Sequence, residues 1–152
     1  ASPLGIRQVR LFFARQWLGV SEDKEFIEKA RAGEIPMEEI NRYFDFFAGE
    51  LKKSGADCEL DFASRLELGR LYRQWSVFDR AKISAAEETL EEAKTLSPNN
   101  QQPYWELAQV KLYENDVAAA GELARQAHDL YPDNAQSRAI MEEIEKIREN
   151  RQ

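Results

Sequence analysis

The feature that most constrains this chain is a helix ending that occurs twice, 34 residues apart. The first copy is EEAKTLSPNN at 91–100 and the second is RQAHDLYPDN at 125–134. Each copy carries an alanine, a leucine, a proline and a terminal asparagine at the same relative positions. A fixed interval of roughly 20 to 50 residues indicates stacked structural units that bury their apolar faces against one another. The sequence therefore predicts an array of similar units.

The similarity between the two copies also includes residues that precede the helix endings. At the 34-residue offset, Ala86, Ala93, Leu96, Pro98 and Asn100 align with Ala120, Ala127, Leu130, Pro132 and Asn134. Small alanines allow two helices to approach closely, and a proline ring ends a helix because it breaks the backbone hydrogen-bond ladder. We therefore expect the four alanines to be buried between paired helices.

The rest of the chain also reads as helix. Glycine and proline number only 7 and 5 in 152 residues, and apolar residues recur at helical spacing with no strand pattern. Ser21 is the predicted N-cap of the second helix, Gly33 its stop and Pro36 a first-turn residue of the third. The predicted fold is all-α, with stacked antiparallel helical hairpins and about seven helices.

One helical-repeat domain accounts for the whole chain. Its predicted parts are an amphipathic helix at 1–20, a degenerate hairpin at 21–59, a repeat with an insertion at 60–100, a repeat at 101–134 and a capping helix at 135–152.

The amphipathic helix at 5–20 leaves three interpretations open. One stripe carries Ile6, Val9, Phe13 and Trp17, and the remaining surface carries Arg7, Arg10 and Arg15. Such a helix packs against the next helical pair, lies on an anionic membrane surface, or buries its aromatic residues against a second copy in a homodimer.

Charge excludes one class of partner. The net charge is −7, and because residues 1–20 contribute +3, residues 21–152 carry −10. An acidic body repels a phosphate backbone, so we expect no nucleic-acid binding. The sequence shows neither an apolar run of about 20 residues nor the pattern of a signal peptide.

The residues that usually carry chemistry are scarce or scattered. The chain has one histidine, His128, and one cysteine, Cys58, whereas a zinc site from such ligands needs three or four. The glycines are dispersed and do not form a phosphate-binding loop, and paired carboxylates such as Glu87 and Glu88 are typical of solvated helix faces. We predict no catalysis, no cofactor and no metal.

The segment YWELAQVKLYENDVAAAGELARQAHDLYPDN at 104–134 resembles the tetratricopeptide repeat family. The resemblance covers roughly 62–134, where Leu68, Gly69 and Tyr72 match the first helix of the preceding unit. That unit departs from the pattern by five extra residues around 75–79, and Lys111 stands where the family usually has an aromatic residue.

The resemblance implies a non-catalytic scaffold that binds a peptide or protein on a concave surface lined by the first helix of each pair. Arginines there would pair with a carboxylate or phosphate, and aromatic residues would act as anchors. The alternative is that Trp105 belongs to the core and the arginines are solvated. The family's clamp for a C-terminal carboxylate is not reproduced. The predicted partner-binding residues are Arg70, Arg73, Gln74, Trp105, Gln109 and Tyr113.

A second resemblance concerns the order of segments. An arginine-rich aromatic segment, a hairpin and the stretch LELGRLY are similar to the soluble tail of bacterial O-antigen ligase or polymerase membrane proteins. That likeness implies an extracytoplasmic accessory domain in which residues 5–20 lie next to the membrane. A homo-oligomerisation module is the remaining alternative.

Overall fold

The computed structural model describes residues 3–57 and 61–150, and these ranges form helices and turns without a strand. Neighbouring helices pack in pairs, as expected for the predicted all-α array. The described residues contain eight α-helices, whereas the sequence predicts about seven. They are α1 Pro3–Glu22, α2 Lys24–Arg31, α3 Met37–Asp57, α4 Phe62–Trp75, α5 Ile83–Leu96, α6 Gln101–Tyr113, α7 Val117–Leu130 and α8 Ala135–Glu149, with a 3-10 helix at Arg80–Lys82.

Side-chain caps fix where most of these helices begin. In each cap, an aspartate or asparagine oxygen accepts a hydrogen bond from a backbone N–H two or three residues further on, which satisfies a donor that the helix leaves unpaired. The caps are Asp23 for α2, Asp61 for α4, Asp79 for the 3-10 helix, Asn100 for α6, Asp116 for α7 and Asn134 for α8.

The predicted cap at Ser21 is wrong. Ser21 is buried in the last turn of α1, where its hydroxyl donates to the Leu18 carbonyl at 3.0 Å. Asp23 takes the capping role and accepts from the Phe26 N–H at 3.0 Å. A carboxylate is well suited to this place because it also complements the positive end of the helix dipole.

Two backbone positions with positive φ separate helices. Gly33 has a φ of 78° just after α2, which confirms the predicted stop. Asn115 has a φ of 70° between α6 and α7, in the predicted Asn-Asp turn. The extra residues of the first repeat run from the last residue of α4 through the turn that leads to the 3-10 helix.

The chain divides into two compact units, one up to Thr89 and one from Leu90, so the boundary falls within α5. In the first unit, α1 packs against α2, α3 and α4, and α3 packs against α4. Its core is aromatic: Phe44 stacks on Trp75 with ring centroids 5.3 Å apart, and Trp17 meets Phe44 edge-on at 5.4 Å. The Trp75 indole N–H also donates to the Asn41 side chain at 2.7 Å.

The core of the second unit contains alanines among larger aliphatic side chains. Here α7 packs against both α6 and α8, and a cluster of Val117, Ala120, Ala124 and Ile144 lies between them. The expectation of buried repeat alanines is confirmed, since Ala86, Ala93, Ala120 and Ala127 are all 0% exposed. Side chains of this size let backbones approach, which is how an α6–α7 pair can pack closely.

Candidate functional site

The residues predicted on α4 are engaged with α1. Arg73 is buried and its guanidinium lies 3.0 Å from the Glu22 carboxylate. The adjacent Gln74 is also buried and donates from Nε2 to the Ser21 carbonyl at 2.6 Å. Both side chains therefore connect the end of α1 to α4, and a role in binding a partner stays a prediction for them.

Arg70 and Arg15 both form ion pairs with the carboxylate of Glu67. Nη1 of Arg70 lies 3.3 Å from one oxygen of Glu67, while Nε of Arg15 lies 2.7 Å from the other oxygen. Glu67 is only 2% exposed, so the two guanidinium groups compensate for the desolvation of its carboxylate. The pairing of Arg15 with Glu67 spans 52 residues, and no local pattern in the sequence indicates it.

Trp105 on α6 is buried in the second unit. Its indole N–H donates to the Ser137 hydroxyl on α8 at 3.0 Å. An aromatic ring with its polar atom already bonded inside the protein is typical of a core position. A role as a partner anchor stays a prediction for Trp105.

Gln101 is the centre of a buried hydrogen-bond network that the sequence analysis missed. Its Nε2 donates to the Ala127 carbonyl at 2.5 Å and to the Ser137 hydroxyl at 3.0 Å, while its Oε1 accepts from Asn134 at 2.9 Å. The network joins the start of α6 to the end of α7 and the start of α8. Its one sequence signal is the repeated asparagine, because Asn100 and Asn134 cap α6 and α8 at the 34-residue offset.

The other two predicted residues on α6, Gln109 and Tyr113, line a groove shared with α8. We call this cavity of ≈ 450 Å³ the α6–α8 groove. Tyr113 is 45% exposed and Gln109 is half-buried. The other lining residues are Leu112, Ile140, Glu143 and Ile147. The groove thus combines apolar side chains with a few polar groups, the usual composition of a binding cleft.

A larger cleft of ≈ 650 Å³ lies in the first unit between α1 and α2. Lys29 lines it, and the pKa of Lys29 is raised because the Glu25 carboxylate accepts a hydrogen bond from its ammonium group. A nucleophilic lysine requires a lowered pKa, so this shift is opposite to the one that such chemistry needs. The Lys29–Glu25 pair is one turn apart on a single exposed helix face.

The remaining residues considered for catalysis or metal binding do not form a cluster in the described ranges. Cys58 lies outside the described residues. His128 is half-buried on α7, and its Nδ1 has no hydrogen-bond partner. Across 3–57 and 61–150, no three histidine, cysteine, aspartate or glutamate residues are placed to hold a metal ion. None of the helices in the described ranges has the length and apolar composition to cross a membrane.

Comparisons with known proteins do not assign this chain to a family. No protein-family model matches the chain, and no curated protein matches it significantly.

Proposed function

We propose that this chain is a non-catalytic binding domain that holds a short segment of a partner protein in the α6–α8 groove. The observation that carries the proposal is the groove's composition. Leu112, Ile140 and Ile147 provide apolar surface, and the partly exposed ring of Tyr113 provides an aromatic contact. Aromatic residues in such positions frequently dominate binding energy at protein interfaces.

Charge specifies the partner further. Glu143 lies in the groove, and the chain as a whole carries a net charge of −7. A segment with two or three apolar side chains and at least one lysine or arginine would place its positive charge near Glu143. An acidic segment would meet like charge, so it should bind weakly.

The helical arrangement supports a tetratricopeptide-type repeat as the scaffold of this groove. Pairing of α6 with α7 and of α7 with α8, together with full burial of the four repeat alanines, is what that architecture needs. The alternative as an accessory domain of a membrane glycan-assembly protein stays a prediction, and membrane helices encoded upstream of this segment would support it.

The proposal can be tested with a random peptide library displayed on phage and selected on the folded chain. Enriched peptides should carry apolar anchors next to lysine or arginine. Removing a central aromatic contact costs about 2 kcal/mol, so Tyr113→Ala should weaken the binding of an enriched peptide roughly 30-fold in fluorescence anisotropy. Glu143→Lys should weaken basic peptides preferentially.

The matched control is Tyr131→Ala, because Tyr131 is similarly exposed in the same unit but lies outside the groove. Trp105→Ala is unsuitable, since it removes the buried bond to Ser137 and so perturbs the fold. If the enriched peptides bind both groove variants as tightly as the unmodified chain, the binding site lies elsewhere and the proposal fails.

A further inference from the structure

Helix α1 exposes a row of apolar residues. Ile6, Val9, Phe13 and Val20 are between 42% and 54% exposed, and Gln16 is the exposed polar residue among them. Their spacing is three, four, three and four residues, the alternation by which a helix presents one narrow seam to another helix in a coiled coil. We call these five residues the α1 seam.

The seam is not the buried face of α1, although Gln16 and Val20 at its end line the cleft between α1 and α2. The buried face carries Ala14, Leu18 and Ser21 instead. The first of the three interpretations, in which the apolar stripe packs against the next helical pair, therefore does not describe Ile6, Val9 and Phe13, which are about half exposed. It holds for Trp17, whose ring lies 4.9 Å from that of Tyr43.

Three arginines of α1 form ion pairs with acidic residues. One partner lies on α3, one on α4, and one is the N-cap residue of α4. Their partners are distant in sequence, and the pairs are Arg7–Asp61 at 3.7 Å, Arg10–Glu50 at 3.1 Å and Arg15–Glu67 at 2.7 Å. A helix that lies on an anionic membrane uses such cations on its polar face to attract lipid headgroups. Here carboxylates already neutralise them, so the observations favour a protein surface over a lipid surface.

We propose that the α1 seam binds a second copy of this chain, with the two α1 helices parallel about a twofold axis. In that arrangement every seam residue faces its own counterpart, as symmetry requires of residues near the axis. Gln16 then faces Gln16 of the other copy, and the two amides can each donate and accept a hydrogen bond. A polar residue at one core position is also a known means of fixing coiled-coil register.

Antiparallel pairing suits the seam less well. Aligning the helices antiparallel so that Val9 meets Phe13 would place Gln16 opposite Ile6, leaving a buried amide without a partner. Gly5, Phe12 and Gly19 lie beside the seam on one side and carry no charge, so this flank brings no like charges together when two copies meet.

The exposed apolar area of α1 determines how strongly two copies are expected to associate. The four apolar residues of the seam and the neighbouring Phe12 are five side chains that are each about half exposed. Together they offer roughly 450 Å² per copy, or about 900 Å² for the pair. This lies at the low end of specific interfaces, where complexes are weak and transient. We therefore expect a monomer–dimer equilibrium with a dissociation constant on the order of 100 µM. The five are Ile6, Val9, Phe12, Phe13 and Val20.

Sedimentation equilibrium or light scattering between about 10 and 500 µM tests the dimer. The mass of the unmodified chain should rise with concentration, and Phe13→Glu should keep it at the monomer mass because two like charges would meet. Tyr131→Glu is the matched control, since it alters a similarly exposed aromatic residue in the other unit. A constant monomer mass for the unmodified chain, or equal association of Phe13→Glu, overturns the proposal.

Cysteine cross-linking tests the parallel orientation. In a Cys58→Ser background, Gln16→Cys should form a covalent dimer on oxidation at about 500 µM, a concentration several times the expected dissociation constant. Gln8→Cys, an exposed glutamine outside the seam, should not. Equal cross-linking of both variants, or of neither, overturns it. So does co-sedimentation of dilute protein with phosphatidylglycerol vesicles that Phe13→Glu abolishes, because that result assigns the seam to lipid.

Discussion

The cores of the two units of this chain are built from different types of side chain. Up to Thr89, the core is built from large rings, with Phe44 stacked on Trp75. From Leu90 onward, the core is built mainly from alanines and aliphatic residues around Ala120, together with the buried ring of Trp105. The first unit also contains long-range ion pairs such as Arg10–Glu50, whereas Lys94–Glu91, Lys111–Glu114 and Arg125–Glu122 in the second each join residues three apart on one helix or turn.

This difference shows two ways to join helices. Alanines bring backbones close and act through their small volume, so the same residues can be reused at each repeat. Rings and charged pairs fill wider spaces, but each ring or pair depends on one particular neighbour. The second unit should therefore be sensitive to enlargement of its core residues, and the first to truncation.

The largest expected effect is Phe44→Ala in the first unit. Phe44 is fully buried against Trp17, Trp75 and Phe78. Replacing it leaves a cavity, so the free energy of unfolding should fall by about 3–5 kcal/mol. Urea denaturation followed by circular dichroism measures this loss. Hydrogen exchange should show that protection falls in α1, α3 and α4 first.

The control for that variant is Phe46→Ala on the same helix. Phe46 is among the exposed aromatic residues of the first unit, so its removal should change the free energy of unfolding by less than about 1 kcal/mol. Equal losses from the two variants would show that the ring cluster around Phe44 does not carry the stability of the unit.

The second unit could be predicted from sequence more fully than the first. Its alanines repeat at a fixed interval, and position in a repeat implies burial, as Ala120 and Ala127 confirm. The arginines of α1 have no such signal. Their partners are 40 to 52 residues away in the bonded pairs Arg10–Glu50 and Arg15–Glu67, and only the folded chain brings them together.

The predicted site residues divide in the same way. Gln109 and Tyr113 lie on the helix face that the repeat pattern selects, and both line the α6–α8 groove. Arg73 lies on the corresponding face of α4, but α1 brings Glu22 to it. Helical periodicity identifies which side of a helix a residue occupies. It does not indicate whether another segment of the chain covers that side.

A smaller effect is expected from Ala120→Leu in the second unit. Leucine and alanine have similar helix propensity, so the change isolates side-chain volume. Adding three carbons at a fully buried site should lower the free energy of unfolding by about 1–3 kcal/mol, measured by urea denaturation. Ala118→Leu adds the same volume at an exposed position of α7 and should be nearly neutral. Similar stability of the two variants would contradict the proposed close packing of α7.

The smallest effect concerns the ion pairs of the first unit and depends on pH. The pKa of Glu50 is lowered from its ordinary value of 4.5 because Lys53 donates a hydrogen bond to it, and Arg10 adds a second. A carboxyl group with a lowered pKa in the folded state stabilises that state above its unfolded pKa and loses this contribution as pH falls. Glu50→Gln should therefore cost about 0.5–1 kcal/mol at pH 7.

That cost should shrink as the pH falls below 4.5 toward the lower pKa of the folded state, because protonated Glu50 then resembles glutamine. Urea denaturation of both proteins at pH 7 and at two acidic pH values measures the change. Glu88→Gln, at an exposed position of α5, should show little cost at any pH. A cost for Glu50→Gln that stays constant with pH would mean that glutamine disturbs packing, and that the charge on Glu50 does not help to join α1 to α3.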